Sequence, residues 1–185
     1  MRVAITGHTS GIGQELYNLM PGSLGFSRRT GHDIAKKECR EAIWDAAKDC
    51  DVFINNAYSH DYMFAQTELL WMFWRGWENS KTEKKIVCIG SYAGTVVDRY
   101  QKIQEYAVQK HTLDVACRQL TGTYGIPTKC RILNVKPGYV DTAGLTHAAG
   151  APKIRSQDLA RLIVNLITTR DYWVPEITVL PYNDK

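Results

Sequence analysis

The 185-residue chain has little of what marks membrane, secreted or nucleic-acid-binding proteins. No apolar run approaches the roughly 20 residues of a membrane helix, and the longest stretches, such as Leu69 to Trp74, fall far short of it. Met1 leads straight into a strand-like segment, which predicts neither a leader peptide nor a membrane span. Cysteine is sparse and scattered: Cys39, Cys50, Cys88, Cys117 and Cys130 form no C-x-x-C pair and have no histidine at ligand spacing. Reduced, buried thiols in a cytoplasmic protein without a metal site are therefore expected. The net charge of +4 comes from dispersed lysines and arginines, without the basic runs or interleaved aromatics of a nucleic-acid surface. Repeats, low-complexity stretches and linkers are missing too, so residues 1–185 are expected to form one domain.

What is present is an alternation of short β-branched runs with helical patterns. Arg2 to Thr6, Ser23 to Ser27, Asp51 to Asn55, Lys85 to Ile89, Arg131 to Val135 and Trp173 to Leu180 read as strands. Between them, apolar residues recur at helical spacing after Gly13, over Glu38 to Ala47, Asp61 to Trp77 and Tyr100 to Leu120, and from Ser156, which is expected to cap the last helix. This order predicts an α/β protein of the Rossmann type, a doubly wound parallel sheet with helices on both faces.

Gly7, Gly11 and Gly13 lie between the first strand and the first helix. Glycines there permit a tight turn and let the backbone approach a pyrophosphate, whose charge suits the free N–H groups of a helix start. The segment Thr6-Gly7-His8-Thr9-Ser10-Gly11-Ile12-Gly13 resembles the T-G-x-x-x-G-I-G of the short-chain dehydrogenase/reductase family in every fixed residue. Asn55-Asn56-Ala57-Tyr58 resembles the family's N-N-A-G, with a tyrosine in the glycine's place. Ile89-Gly90-Ser91-Tyr92-Ala93-Gly94 is similar to its catalytic serine segment, Tyr106 and Lys110 to its Y-x-x-x-K, and Pro137-Gly138-Tyr139-Val140-Asp141-Thr142 to the segment that closes over the nicotinamide. The motifs stand in family order and span nearly the whole chain.

The resemblance implies an oxidoreductase that interconverts a carbonyl and an alcohol on a small-molecule substrate. Ser91 would orient the carbonyl, Tyr106 would act as general acid/base, and Lys110 would lower the phenol pKa and hold the ribose. A free phenol titrates near 10 and needs such tuning. The cofactor contacts implied are Gly7, Thr9, Ser10, Gly11, Ile12, Asn56, Ala57, Tyr106, Lys110, Pro137, Gly138, Val140 and Thr142, with Asp33 and Ile34 lining the adenine. After the second strand stand Ser27, Arg28 and Arg29 rather than an acid; guanidinium groups suit a 2′-phosphate, so NADP(H) is preferred and NAD(H) remains possible. Solvated surface arginines are the alternative.

The chain also departs from the family. The helix and strand usual after the second strand are cut down. No asparagine occurs between His60 and Glu78, where many members carry one that bridges the lysine to water; Gln66 is the nearest amide, so that relay is altered or absent. The Leu69 to Trp77 segment is apolar on more than one face, which fits either burial against the sheet or a homodimer or homotetramer contact. Only about forty residues follow Thr142, too few for the substrate domain of a sugar-nucleotide epimerase. Tyr58, the missing asparagine and the trimmed segments keep open a second possibility, a cofactor-binding sensor or interaction protein with weak turnover. The five histidines share no metal-ligand spacing.

Overall fold

The computed structural model describes residues 1–97, 104–121, 128–143 and 150–182. Within them the chain runs β1 (Val3–Thr6), α1 (Gly11–Leu19), β2 (Leu24–Phe26), α2 (Lys37–Ala47), β3 (Val52–Asn55), α3 (Ala65–Trp77), β4 (Lys84–Ile89), α4 (Gln104–Thr121), β5 (Cys130–Pro137), α5 (Ser156–Thr168) and β6 (Glu176–Val179). The strands form one sheet in the order β2-β1-β3-β4-β5-β6, every pair parallel. The predicted doubly wound α/β architecture is therefore the one observed.

Strand periodicity divides the core. Ala4, Phe53, Ile86, Cys88 and Ile132 face one layer, where α2, α3 and α4 supply Ile43, Leu69, Leu70, Phe73, Leu113 and Leu120. Their neighbours Val3, Ile5, Val52, Ile54, Val87, Leu133 and Val135 face the other, built from α1 and α5 with Leu16, Leu159 and Ile163. A sheet buried on both faces requires such continuous apolar strands.

The aromatic helix α3 is explained by burial within the chain. Phe73 stacks on Phe53 at 3.6 Å between ring centroids and meets Trp44 and Trp77 edge-on at 5.1 Å each. The Trp77 indole N–H donates to the Lys48 carbonyl at 2.8 Å, so its polar edge is satisfied.

Several predicted boundaries shift, two of them for a clear local reason. Helix α3 starts at Ala65 rather than Asp61, because the buried Ser59 hydroxyl accepts the Asp61 and Tyr62 N–H groups and holds that stretch as a turn. Ser156 is the first helical residue of α5 and not its cap; its N–H is taken at 2.6 Å by the Asp141 carboxylate, which ties the helix to the segment after β5. The last strand spans only Glu176 to Val179. The part of the predicted Tyr100 to Leu120 helix before Gln104 lies outside the described residues.

Candidate active site

The carboxyl ends of β1 and β3 diverge where the chain leaves β1 for β2 on one side and places β3 on the other. Such a switch point is where open α/β sheets bind ligands. Here the glycine loop meets the end of β3. The Thr6 hydroxyl accepts the N–H groups of Asn56 and Ala57 at 3.0 Å each, and the Asn56 amide donates back to the Thr6 carbonyl at 2.9 Å. Gly7 and Gly11 take the left-handed conformation, with φ of 73° and 53°. A Cβ at Gly13 would lie 2.3 Å from the Gly7 carbonyl oxygen, so only glycine lets the helix start this close to the loop. Helix α1 begins after Ser10, whose side chain makes no cap bond, and has no acid in its first turn. Its first N–H groups lack intrahelical partners and are left for an anion. Thr142 packs against Gly11, 3.0 Å from where a Cβ would stand, so the segment after β5 borders the same loop.

On the outer side of this cleft, Ser27 opens a 3-10 turn over Arg28–Thr30 and is locked to Thr30 by a reciprocal capping box. Arg28 and Arg29 are exposed and make no ion pair among the described residues. Asp33 accepts the Ala35 N–H at 3.0 Å. The Ile34 side chain is in the core, and its carbonyl accepts from Arg40 at 2.7 Å. Among the described residues no strand lies outside β2, so the sheet edge stands where a doubly wound sheet of the usual order has another strand.

The inner side holds the predicted catalytic trio. Ser91 ends β4 and caps a short 3-10 turn, its hydroxyl accepting the Ala93 N–H at 3.2 Å. That turn sits directly on α4: a Cβ at Gly94 would be 2.7 Å from the Lys110 backbone, and the Gly94 carbonyl lies 2.8 Å from His111 Nδ1. The close approach brings Ser91 into hydrogen-bond contact with the Tyr106 phenol. Lys110, only 4% exposed, donates from Nζ to the Ile89 carbonyl and to Gln66 Oε1, both at 2.8 Å. Its ammonium lies 5.6 Å from the Tyr106 ring centroid and 5.7 Å from that of Tyr58. Tyr58 in turn meets Tyr106 edge-on at 5.1 Å and closes this side of the lysine.

Burial raises the Tyr106 phenol above its ordinary value, and the Ser91 hydrogen bond acts the other way. Burial acts on Lys110 itself, bringing its pKa down to about 8, while the sulfurs of Cys88 and Cys117 act the other way. Tyr106 thus stays protonated through neutral pH, as a proton donor must.

Sequence reasoning missed the role of Gly94 and saw Gln66 only as a distant substitute for asparagine. It also missed a buried polar group beside Gly90: Asp114 accepts from Asn134 at 2.8 Å and from Arg118 at 2.7 Å, and Lys136 bonds Glu176 at 2.5 Å. A helical i, i+4 spacing hinted at the Asp114–Arg118 pair, but nothing in the sequence links it to β5 and β6. Among the described residues no group of histidine, cysteine or acidic side chains could hold a metal ion, and no helix is long and apolar enough to cross a membrane. His147 and the rest of residues 144–149, between Asp141 and Arg155, lie outside the described residues.

The chain matches no known family profile and no curated protein. Solved structures do match. A short-chain dehydrogenase/reductase family protein aligns at a TM-score of 0.76 and 19% identity, over 97% of this chain and 95% of its own. The 3-alpha-hydroxysteroid dehydrogenase of Pseudomonas sp. B-0831, complexed with NADH, aligns at 0.75 and 18% identity, over 97% and 94%. The closed form of a serine dehydrogenase complexed with NADP+ aligns at 0.74 and 17% identity, again over 97% and 94%. The TM-scores and the coverage of both chains agree: this chain has the fold of the short-chain dehydrogenase/reductases.

Proposed function

We propose that the protein is a nicotinamide-dependent oxidoreductase that interconverts a carbonyl and an alcohol, with NADP(H) as the preferred cofactor. The observation that carries this reading is the meeting of Ser91, Tyr106 and Lys110 at the carboxyl end of β4, although they come from the segment after that strand and from a separate helix. The donor set fits a dinucleotide. Thr9, Ser10, Gly11 and Ile12 would offer backbone N–H groups to its pyrophosphate, Gly7, whose own N–H is held by the Phe26 carbonyl at 2.7 Å, would shape the loop around it, Asn56 and Ala57 would border it, and Pro137, Gly138, Val140 and Thr142 would flank its nicotinamide end. Ser27, Arg28 and Arg29 stand where a 2′-phosphate would lie, with both guanidiniums exposed.

A bound nicotinamide would supply or accept the hydride. Ser91 and Tyr106 would both donate to the substrate oxygen, and Tyr106, kept protonated by burial, would deliver the proton that a developing alkoxide needs. Lys110 would place a positive charge beside that oxygen as negative charge grows on it. Five unpaired cysteines, four of them buried, fit a reducing compartment such as the cytoplasm. Val108 and Val115, each 44% exposed on the outer face of α4, offer a surface for a homodimer.

A second reading, a cofactor-binding protein with weak turnover, draws on Tyr58, whose ring stands against both Tyr106 and Lys110. One experiment separates the two. Purified protein is titrated with NADPH and NADH by tryptophan fluorescence, then assayed with a panel of carbonyl compounds. Tight NADPH binding with turnover that vanishes in Tyr106→Phe supports the reductase; binding without turnover on any substrate supports the sensor; no binding of either cofactor overturns both.

A further inference from the structure

Gln66 lies in the first turn of α3 and is 6% exposed, yet every polar atom of its side chain is used. Nε2 donates to the Asn55 carbonyl at 2.7 Å and to the Ile89 carbonyl at 3.1 Å. Two carbonyls on that side fix the amide orientation, because an oxygen there would face two acceptors. Oε1 must then point the other way, where Lys110 Nζ donates to it at 2.8 Å. The Asn55 amide donates to the Gln66 backbone carbonyl at 2.7 Å and completes the lock between β3 and α3. Among the described residues Lys110 therefore has two acceptors, Gln66 and Ile89, and it lies behind the rings of Tyr58 and Tyr106. No carboxylate bonds it among the described residues; the other titratable groups facing it are the thiols of Cys88 and Cys117.

We propose that Gln66 is a positioning residue for Lys110: its side-chain oxygen anchors the ammonium to α3 and keeps it charged beside Tyr106. Burial disfavours the charged lysine, and the amide dipole is one of the few favourable contacts opposing it. Without Oε1 the ammonium retains the Ile89 carbonyl alone and gives up its proton more readily. The consequence for turnover rests on the reductase reading; the anchoring itself does not.

The test follows lysine ε-carbon resonances of the cofactor-free protein from pH 6 to 11, with Lys110 assigned by the signal lost in Lys110→Arg. In the wild type Lys110 titrates near pH 8, and the Gln66 side-chain amide resonances move with the same midpoint. In Gln66→Met, which keeps the length and loses the acceptor, the Lys110 midpoint falls by roughly one pH unit. In the NADPH assay, kcat of that variant drops at pH 8, recovers toward wild type at pH 6, and KM for the carbonyl substrate holds. A Lys110 midpoint unchanged in Gln66→Met overturns the proposal, as does a wild-type Gln66 amide that stays flat across the titration. The second observation decides the matter even if the variant fails to fold. The expected titrations in a protein that turns over no carbonyl substrate would uphold the anchor and overturn the reductase reading.

Discussion

The two sides of the cleft are built on opposite principles. The outer side, around β2, is trimmed and open: the sheet ends there, and Arg28 and Arg29 stand exposed on a short turn. The inner side is interlocked: Lys110, Gln66, Ser91, Tyr106 and Gly94 are held by α3, β4 and α4 with scarcely an unused polar atom. Recognition of a charged phosphate tolerates an open edge, because a charge-assisted bond to a guanidinium works at the surface. Proton delivery does not, because it depends on fixed distances between donor and acceptor. A chain this short keeps its packing where the chemistry needs it.

The largest effect should come from the inner side. Tyr106→Phe removes one hydroxyl and should cut kcat by about 10² to 10⁴ while the NADPH dissociation constant holds, measured by steady-state assay and fluorescence titration. A comparable loss in affinity would mean that Tyr106 serves binding rather than chemistry. Next comes the cost of keeping a buried lysine. The folded-state value of Lys110 is about 8 against an ordinary 10.5, so between those values the unfolded chain holds a proton that the folded chain has released. Stability of the wild type relative to Lys110→Met should therefore be lowest below pH 8 and rise by up to about 3 kcal/mol as pH climbs to 10.5, read from urea unfolding at each pH. A flat difference would show that Lys110 is not buried as described.

On the outer side, replacing Arg28 and Arg29 together with alanine should weaken NADPH binding by roughly 10- to 100-fold and leave NADH within about twofold, since each lost charge-assisted bond is worth about 1.5 to 3 kcal/mol. Raising the salt concentration should erode the wild-type preference in the same direction. Equal loss for the two cofactors would leave the arginines as solvated surface charge.

The fold and half of the site were legible in the sequence because they rest on local patterns. Val3 to Thr6 and Val52 to Asn55 are continuous apolar runs that only a doubly covered sheet accommodates, and the glycine loop between β1 and α1 needs its residues at fixed spacing. What escaped depends on contacts between distant segments. Gln66 and Lys110 are 44 positions apart, and nothing at either position says that one amide faces two carbonyls and an ammonium. Gly94 stands in the serine segment, but nothing in that motif says that the α4 backbone lies against it. The direction of the Tyr106 shift followed from burial, which the i, i+4 spacing of Tyr106 and Lys110 does not report.

The smallest expected effect concerns Tyr58, where the two sides meet. The family-like motif would have a glycine there, and the tyrosine ring instead fills the space over the Lys110 ammonium and against Tyr106. Among the described residues its hydroxyl has only long contacts, 3.5 Å to His60 and 3.5 Å to Gln109, so hydrogen bonds do little to hold it in place. If a ribose must reach Lys110, the ring has to swing aside first, and the energy of that displacement is subtracted from binding. Tyr58→Gly should then tighten NADPH a few-fold, an outcome on the order of 1 kcal/mol, while Tyr58→Phe, which keeps the ring, should leave affinity unchanged. The same substitution loses the contact with Tyr106 and adds backbone freedom, so the melting temperature should fall as affinity rises. Opposite signs in the two measurements are what a displaceable cover requires; a loss of both would make Tyr58 part of the cofactor seat.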